Sequence, residues 1–344
     1  MLKEVKITRD KIEEINKNIQ DITVCTIGDM CLDLYLYADM KLSELSRETP
    51  HHPLPVVREV GTPGGGGNVA NNIAALRVGR LLPVSLIGDD WRGFLLMQYL
   101  EDHGFDTSRI IKSRKYATTC FCKPMRMGIS DVVYEDPRLD FEFRGEIDPA
   151  DEEAVIKAFD EAAAQADVIA VSDQVKRGVI TDRVRERISY WAGIKPVIMD
   201  SREHSTFYKG VIAKPNEVEA AFAIGRDIKG LNLTLDDYAQ IGADLQKKNA
   251  CPVIVTLGSL GSLWCDEGGV TLAPTVPAEP PIDIVGAGDT FLSACACAYA
   301  AGASGPEALA YGNLASGVTV KKIGTTGTAS PEEILAKFDE IYMR

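Results

Sequence analysis

Ile22-Thr-Val-Cys-Thr-Ile27-Gly28-Asp29-Met-Cys-Leu-Asp33 decides the fold. Its first six residues are β-favouring and carry no charge, and they stop at a glycine. That is the pattern of a strand buried on both faces, as in a parallel sheet flanked by helices. The chain supplies the partners such a strand needs. Asn68 to Val78 predicts a helix with Val69, Asn72, Ile73 and Leu76 on one face. Leu82 to Ile87 predicts a strand, and Trp91 to His103 a helix ended by Gly104. Val168 to Ser172, Pro196 to Met199 and Val253 to Leu257 predict further strands. Thr181 to Trp191 and Thr234 to Lys248 predict helices, the second opened by Thr234 and Asp237 in a capping-box pattern. Ser304-Gly-Pro306-Glu307 and Ser330-Pro331-Glu332-Glu333 start two more, the last running from Pro331 to Tyr342. Strands alternating with helices predict an α/β fold, a mainly parallel sheet covered by helices on both faces.

Two stretches leave this rhythm. Residues 34–60 hold Tyr35, Tyr37 and then Pro50, Pro53 and Pro55 before Val56-Val57. Residues 116–144 read as short strands at Ala117 to Lys123, Asp131 to Tyr134 and Leu139 to Phe143. One small antiparallel sheet built from both is expected, lying against an edge of the main body as a lid or a dimer surface. Residues 1–21 are expected to form an N-terminal helical extension, amphipathic through Ile12, Ile15 and Ile19, ahead of a single body over 22–344.

Among 344 residues, 37 Lys and Arg against 50 Asp and Glu give a net charge of −13. No basic face of a nucleic-acid binder is visible, and the acidity disfavours anionic membranes. Phe291 to Ala303, the longest stretch of low polarity, is too short to span a bilayer. The first residues carry mixed charge and no apolar run, and none of the eight cysteines forms Cys-x-x-Cys. A cytoplasmic protein with reduced thiols is expected. With so negative a chain, an anionic ligand must be held by local donors.

Asp283-Ile-Val-Gly286-Ala287-Gly288-Asp289 offers such donors. An extended segment meets a glycine turn, and a helix of small residues follows. Backbone amides backed by a helix N-terminus hold an anion without any basic side chain. Asp289 at its mouth has the chemistry of a base for an attacking hydroxyl. A plain helix start with Asp as cap reads equally from these residues. Thr62-Pro63-Gly64-Gly65-Gly66-Gly67-Asn68 permits close approach of a ligand, with Asn68 offering donor and acceptor, or is a flexible loop. Asp33 follows the first strand, where open sheets take ligands, or belongs to a solvated turn. Asn216 and Glu219 share a helix face that suits a hydrated Mg²⁺, or are an ordinary acidic first turn. Thr256-Leu257-Gly258-Ser259-Leu260-Gly261 frames a base or a phosphate, or is a hairpin turn. No P-loop is present, and no Gly-x-Gly-x-x-Gly follows a first strand.

In this order the motifs resemble the ribokinase/PfkB family of sugar kinases, over about residues 22 to 343. Within the family, the closest likeness is to the branch that phosphorylates D-glycero-β-D-manno-heptose 7-phosphate. It is carried by Gly28-Asp29-x-x-Leu32-Asp33-x-Tyr35-x-Tyr37, Pro63-Gly64-Gly65-x-x-Asn68, Arg138-Leu139-Asp140-Phe141-Glu142 and Val171-Ser172-Asp173. The resemblance implies a ribokinase-like α/β domain with a small β lid, ATP and Mg²⁺ as cofactors, and a homodimer through the lid. It implies Asp289 as catalytic base and Gly286, Ala287 and Gly288 as anion hole. Asp33, Gly64, Gly65, Asn68 and Arg138 match the sugar side. Asn216, Glu219, Thr256, Gly258, Gly261 and Asn313 match the nucleotide side, with Glu219 reaching Mg²⁺ through water. Asp283 would mark a site for a monovalent cation, K⁺. Val285 stands where the branch carries Thr, and Gly66-Gly67 replace Ala-Ala, from which a looser hinge is expected.

The implied reaction is ATP-dependent phosphorylation of a sugar or sugar phosphate, with heptose 7-phosphate going to the 1,7-bisphosphate. Other PfkB-type acceptors are fructose, ribose or a nucleoside. A catalytically silent sugar- or nucleotide-binding protein is the reading from another class, and a dehydrogenase is a third. A substrate already bearing phosphate needs cations in the cleft, for which Arg138, Lys176 and Arg47 are the candidates.

Overall fold

A computed structural model describes residues 2–343. The first half of the chain runs β1 (Lys3–Glu4), α1 (Arg9–Asn18), β2 (Thr23–Gly28), β3 (Met30–Asp39), β4 (Val56–Gly65), α2 (Gly66–Ala75), β5 (Arg80–Gly88), α3 (Trp91–Asp102), β6 (Ile110–Ser113), β7 (Cys120–Met127), β8 (Tyr134–Glu135), β9 (Leu139–Phe141) and α4 (Pro149–Gln165). The second half runs β10 (Val168–Asp173), α5 (Asp182–Ala192), β11 (Val197–Ser201), β12 (Ile212–Ala213), α6 (Glu217–Ala223), α7 (Leu235–Asn249), β13 (Val253–Thr256), β14 (Ser262–Asp266), β15 (Gly269–Ala273), α8 (Ala287–Ala300), α9 (Gly305–Thr319) and α10 (Pro331–Tyr342).

Ten strands form the main sheet in the order β1-β15-β14-β13-β12-β11-β10-β2-β5-β6. Neighbours are parallel except at β13/β14 and β14/β15. Successive residues of β2 point to opposite faces. Val24 enters a core with α1, α2, α8, α9 and α10, whereas Cys25 and Ile27 enter another with α4 and α5. An apolar run without polar alternation is what such a strand requires. The helix α4, absent from the expected elements, buries Val155, Phe159 and Ala162 in that second core. From β2 the sheet grows one way through β5 and β6 and the other way through β10 to β13. A cleft beyond the carboxyl ends of the strands is where such a reversal takes a ligand.

The second sheet has the order β4-β3-β7-β8, with β9 also on β7. Its strands β3 and β4 are antiparallel, but β3 and β7 are parallel from Leu32↔Cys120 to Asp39↔Met127. The sheet is therefore mixed, not antiparallel. The chain reaches β7 only after crossing back through β5, α3 and β6, so it enters from the same end as β3. The strands also outrun the expected limits. Asp33 lies inside β3 and only 6% exposed, not in a solvated turn. The strand expected at Asp131 shrinks to Tyr134–Glu135.

Gly66 and Gly67 are buried in the first turn of α2. A Cβ on Gly66 would stand 3.1 Å from the Gly28 carbonyl carbon, and one on Gly67 2.7 Å from Pro63 Cβ. They allow a close backbone approach rather than the looser hinge expected. The N-terminal residues are more than a helix: β1 pairs with β15, and α1 buries Ile12 and Ile15 completely. No helix among the described residues is long and apolar enough to cross a membrane.

Candidate active site

A cavity of about 660 Å³ opens beyond the carboxyl ends of β10, β11 and β13 and is lined from both sheets. Asp173, Asp200 and Thr256 reach it from those strand ends, and Asp33, Phe121 and Lys123 from the small sheet.

The helix α8 points its N-terminus at this cavity. Its first residue is preceded by Gly286 at φ +78°, a conformation that suits glycine, with no side chain capping the helix. Ala287 donates its amide to the Ile284 carbonyl at 3.2 Å, and Thr290 donates to Gly286 at 3.0 Å. The amides of Gly288 and Asp289 find no acceptor among the described residues. Unpaired amides at a helix N-terminus attract an anion. Gly286, Gly288 and Asp289 line the cavity, while Ala287 does not. The expected anion hole is corrected accordingly: the Ala287 amide is spent within its own turn.

Asp289 is held by a ladder of side chains between α2 and α8. Thr290 Oγ1 donates to Asn72 Oδ1 at 2.8 Å. Asn72 Nδ2 donates to the Asn68 carbonyl at 2.9 Å and to Asn68 Oδ1 at 3.2 Å. Asn68 Nδ2 donates to Asp289 Oδ2 at 2.7 Å. Asn68 lines the cavity and gives one amide hydrogen to Asp289, which leaves its second amide hydrogen for a ligand. Burial pushes the Asp289 carboxyl up to about 7, with nearby Asp200 adding to the rise and the Asn68 hydrogen bond opposing it. A carboxyl so placed takes up and releases a proton near neutrality.

Across the cavity, Asp33 faces Lys123. Asp33 pairs with Phe121 and Tyr35 with Lys123 between β3 and β7, so Asp33 and Lys123 are diagonal neighbours on one face. Lys123 Nζ lies 3.4 Å from Asp33 Oδ2 and donates to the Tyr35 hydroxyl at 3.0 Å. Burial raises the Asp33 carboxyl and Lys123 works against that rise. Burial also works against the charge on Lys123, but Asp33 and Tyr35 more than restore it. Gly64 and Gly65 both line the wall. A Cβ on Gly64 would press on Asp33 Oδ1 at 2.9 Å, so glycine leaves that carboxylate its place. Arg138 also lines the cavity, held by Asp140 at 2.5 and 2.8 Å and stacked 4.5 Å over Phe121. Arg47 is exposed and outside it.

The pair Lys214–Asp200, 2.9 Å apart, lies in the same wall. A Cβ on Gly288 would stand 3.9 Å from Lys214 Nζ, so this buried cation sits beside the free amides of α8. Asn216 and Glu219 line the cavity as a capping box for α6. Asn216 Oδ1 accepts from Val218 and Glu219 amides, and Glu219 Oε2 accepts from the Asn216 amide. Glu219 keeps its second oxygen, and burial raises its carboxyl. Among the described residues no group of three His, Cys, Asp or Glu could enclose a metal ion. Hard oxygens from Glu219 and Asp200 suit a hydrated Mg²⁺ that arrives with phosphates.

Besides Ala287 and Arg47, four of the sequence candidates stay out of the cavity wall. Gly258 opens a 3-10 turn. Gly261, at φ +105°, would drive a Cβ to 2.2 Å from the Ala273 carbonyl oxygen, so sheet packing explains its glycine. Asn313 ties β14 to β15, accepting from Ser262 and donating to Ala273. Asp283 clamps its loop, accepting from the Val285 and Gly324 amides. Among the charged side chains of the cavity wall, Lys123, Asp200, Arg202 and Lys214 escaped the sequence reading. Their signal was slight, a lone charge inside or just after an apolar strand.

Residues 21–333 match the family described as pfkB family carbohydrate kinase. The chain belongs to the PfkB family of carbohydrate kinases. This PfkB kinase is 31% identical over 335 residues to "Bifunctional protein HldE" of Geobacter metallireducens, covering 95% of the chain and 65% of that relative. It is 33% identical over 313 residues to the protein of the same name in Nitratiruptor sp., covering 90% and 64%. The chain therefore spans slightly less than two thirds of the length of these relatives. The fold is that of Arabidopsis thaliana ribokinase complexed with ribose and ATP. That likeness has a TM-score of 0.69 at 20% identity and covers 92% of this chain and 98% of that one.

Proposed function

We propose that this PfkB kinase transfers the γ-phosphoryl group of ATP to a hydroxyl of a sugar phosphate, with heptose 7-phosphate as acceptor and the 1,7-bisphosphate as product. The observation that carries the chemistry is Asp289. Its carboxylate lies in one cavity with Asp33, hydrogen-bonded by Asn68, at the N-terminus of a helix whose leading amides are free. The heptose acceptor rests on the motif likeness in β3, α2 and residues 138–142 and on relatives that are 31% and 33% identical to this chain over the aligned residues.

In this reading Asp33 accepts hydrogen bonds from sugar hydroxyls, with Lys123 holding its charge. Asp289 takes the proton of the attacking hydroxyl as the new O–P bond forms and the bond from phosphorus to ADP breaks. The proton ends on Asp289, and the electron pair leaves with ADP. Gly288 and Asp289 amides, with Lys214 beside them, stabilise charge on the migrating group. Asn216, Glu219 and Thr256 face the nucleotide phosphates, and Mg²⁺ held by Glu219 through water would neutralise them. The clamp geometry of Asp283 adds nothing to the expectation of K⁺. The small sheet acts as the lid that excludes water, and a second copy of the chain covers its exposed apolar face.

The test is turnover with ATP against heptose 7-phosphate, fructose, ribose and nucleosides. Heptose 7-phosphate should be the best acceptor, and turnover of another compound in its place overturns that assignment. Asp289→Asn should lower kcat by about 10²–10⁴-fold, the range of lost general-base catalysis, with ATP still bound. Undiminished turnover in that variant removes Asp289 from the mechanism.

A further inference from the structure

We infer that Lys176 and Arg202 form the subsite for the phosphate that the acceptor sugar already carries, an inference that rests on the sugar-phosphate reading above. Five Lys and Arg side chains line the cavity: Lys123, Arg138, Lys176, Arg202 and Lys214. Three are spent. Lys123 faces Asp33, Arg138 is gripped by Asp140 through two hydrogen bonds, and Lys214 is paired with Asp200. Lys176 makes no hydrogen bond or ion pair with any described residue. Arg202 uses Nε for Gln174 Oε1 at 2.9 Å and its backbone amide for the Asp173 carbonyl, which leaves both terminal nitrogens unpaired. The transferring phosphoryl group has its own donors at α8, so these two cations are surplus to it.

The loops that carry them are pinned from below. Asp29, 3% exposed, accepts from the Val175 amide at 3.1 Å and the Val179 amide at 2.6 Å. Gly178 packs so closely on this carboxylate that a Cβ would overlap it at 1.8 Å. Asp173, 4% exposed, accepts from Ser201 at 2.9 Å and Tyr208 at 2.8 Å, with His204 Nδ1 at 3.1 Å. The two loops leave adjacent parallel strands, β10 and β11, where Asp173 is in register with Ser201. Two cations without an acidic partner therefore line one cavity from loops held by fixed backbone, and the Arg202–Gln174 bond links one loop to the other. A guanidinium and an ammonium are the donors that suit a phosphate monoester.

The test uses the full chain and pairs of acceptors that differ only by phosphate: heptose 7-phosphate with its parent heptose, and fructose 6-phosphate with fructose. Its readout is the ratio of kcat/KM within a pair. The wild type should favour the phosphorylated member, and Lys176→Gln and Arg202→Gln should each reduce that preference about tenfold, the scale of one charge-assisted hydrogen bond. Both side chains are exposed, so the variants should fold. Binding titrations of the same four compounds to Asp289→Asn, alone and combined with each substitution, read the same contrast without turnover. A ratio that neither variant moves, a loss confined to KM for ATP, or a wild type that prefers unphosphorylated sugars overturns the subsite. If heptose 7-phosphate is ignored while fructose 6-phosphate shows the preference and the variants remove it, the heptose assignment falls and the subsite stands.

Discussion

Asp289 shows how one residue acquires a role through its neighbours. Its carboxyl is raised to about 7 chiefly by burial. A base must be ionised to accept a proton, so kcat/KM should rise with pH through about 7 and level off above it. The Asn68 hydrogen bond favours the ionised form and so opposes the rise. Asn68→Ala should therefore move the midpoint to higher pH as well as lower the plateau. A pH profile measured on the free enzyme checks this, and a midpoint that stays in place would show that Asn68 does not tune the base. Neither asparagine of the ladder is charged or rare, so nothing in their local sequence announced the pairing.

At the scale of elements, helix starts were the most legible feature. Thr234, Ser304 and Ser330 all form the reciprocal caps their spacing predicts, because both partners lie within one turn. The helix α1 was legible as an amphipathic element but not as part of the core. Its Asn16 donates to the Pro331 carbonyl and accepts from Tyr311, and Arg9 grips Asp339 at 2.5 and 2.6 Å. With Ile15 fully buried in that cluster, Ile15→Ala should cost ~2–5 kcal/mol through lost burial and the cavity left behind. Urea denaturation measures it. A midpoint equal to that of the wild type would make α1 an appendage.

At the scale of the molecule, the small sheet leaves Val57, Val133, Tyr134 and Leu139 about half exposed. Exposed apolar side chains gathered on one small sheet mark an interaction surface. With a second copy covering them, the wild type should sediment with the mass of two chains, and a Val57→Glu/Val133→Glu double variant with the mass of one. A wild type that sediments as a single chain ends the proposal. The mixed pairing in this sheet was illegible, since strand direction depends on which end the chain enters from after some 80 residues of intervening structure.

The sequence by itself determined the layers and the glycine turn ahead of α8: an apolar run reports a strand buried on both faces, and a glycine turn before a helix places amides, whatever the rest of the chain does. The local chemistry of the capping boxes and of Gly286–Asp289 belongs to the same class. Only the tertiary structure decided which charges are spent and which are free. Lys123 meets Asp33 across a strand pair and Lys214 meets Asp200, while Lys176 pairs with no described residue and Arg202 keeps both terminal nitrogens. Ion pairing depends on distances between residues far apart in the chain, and no spacing along the sequence encodes them.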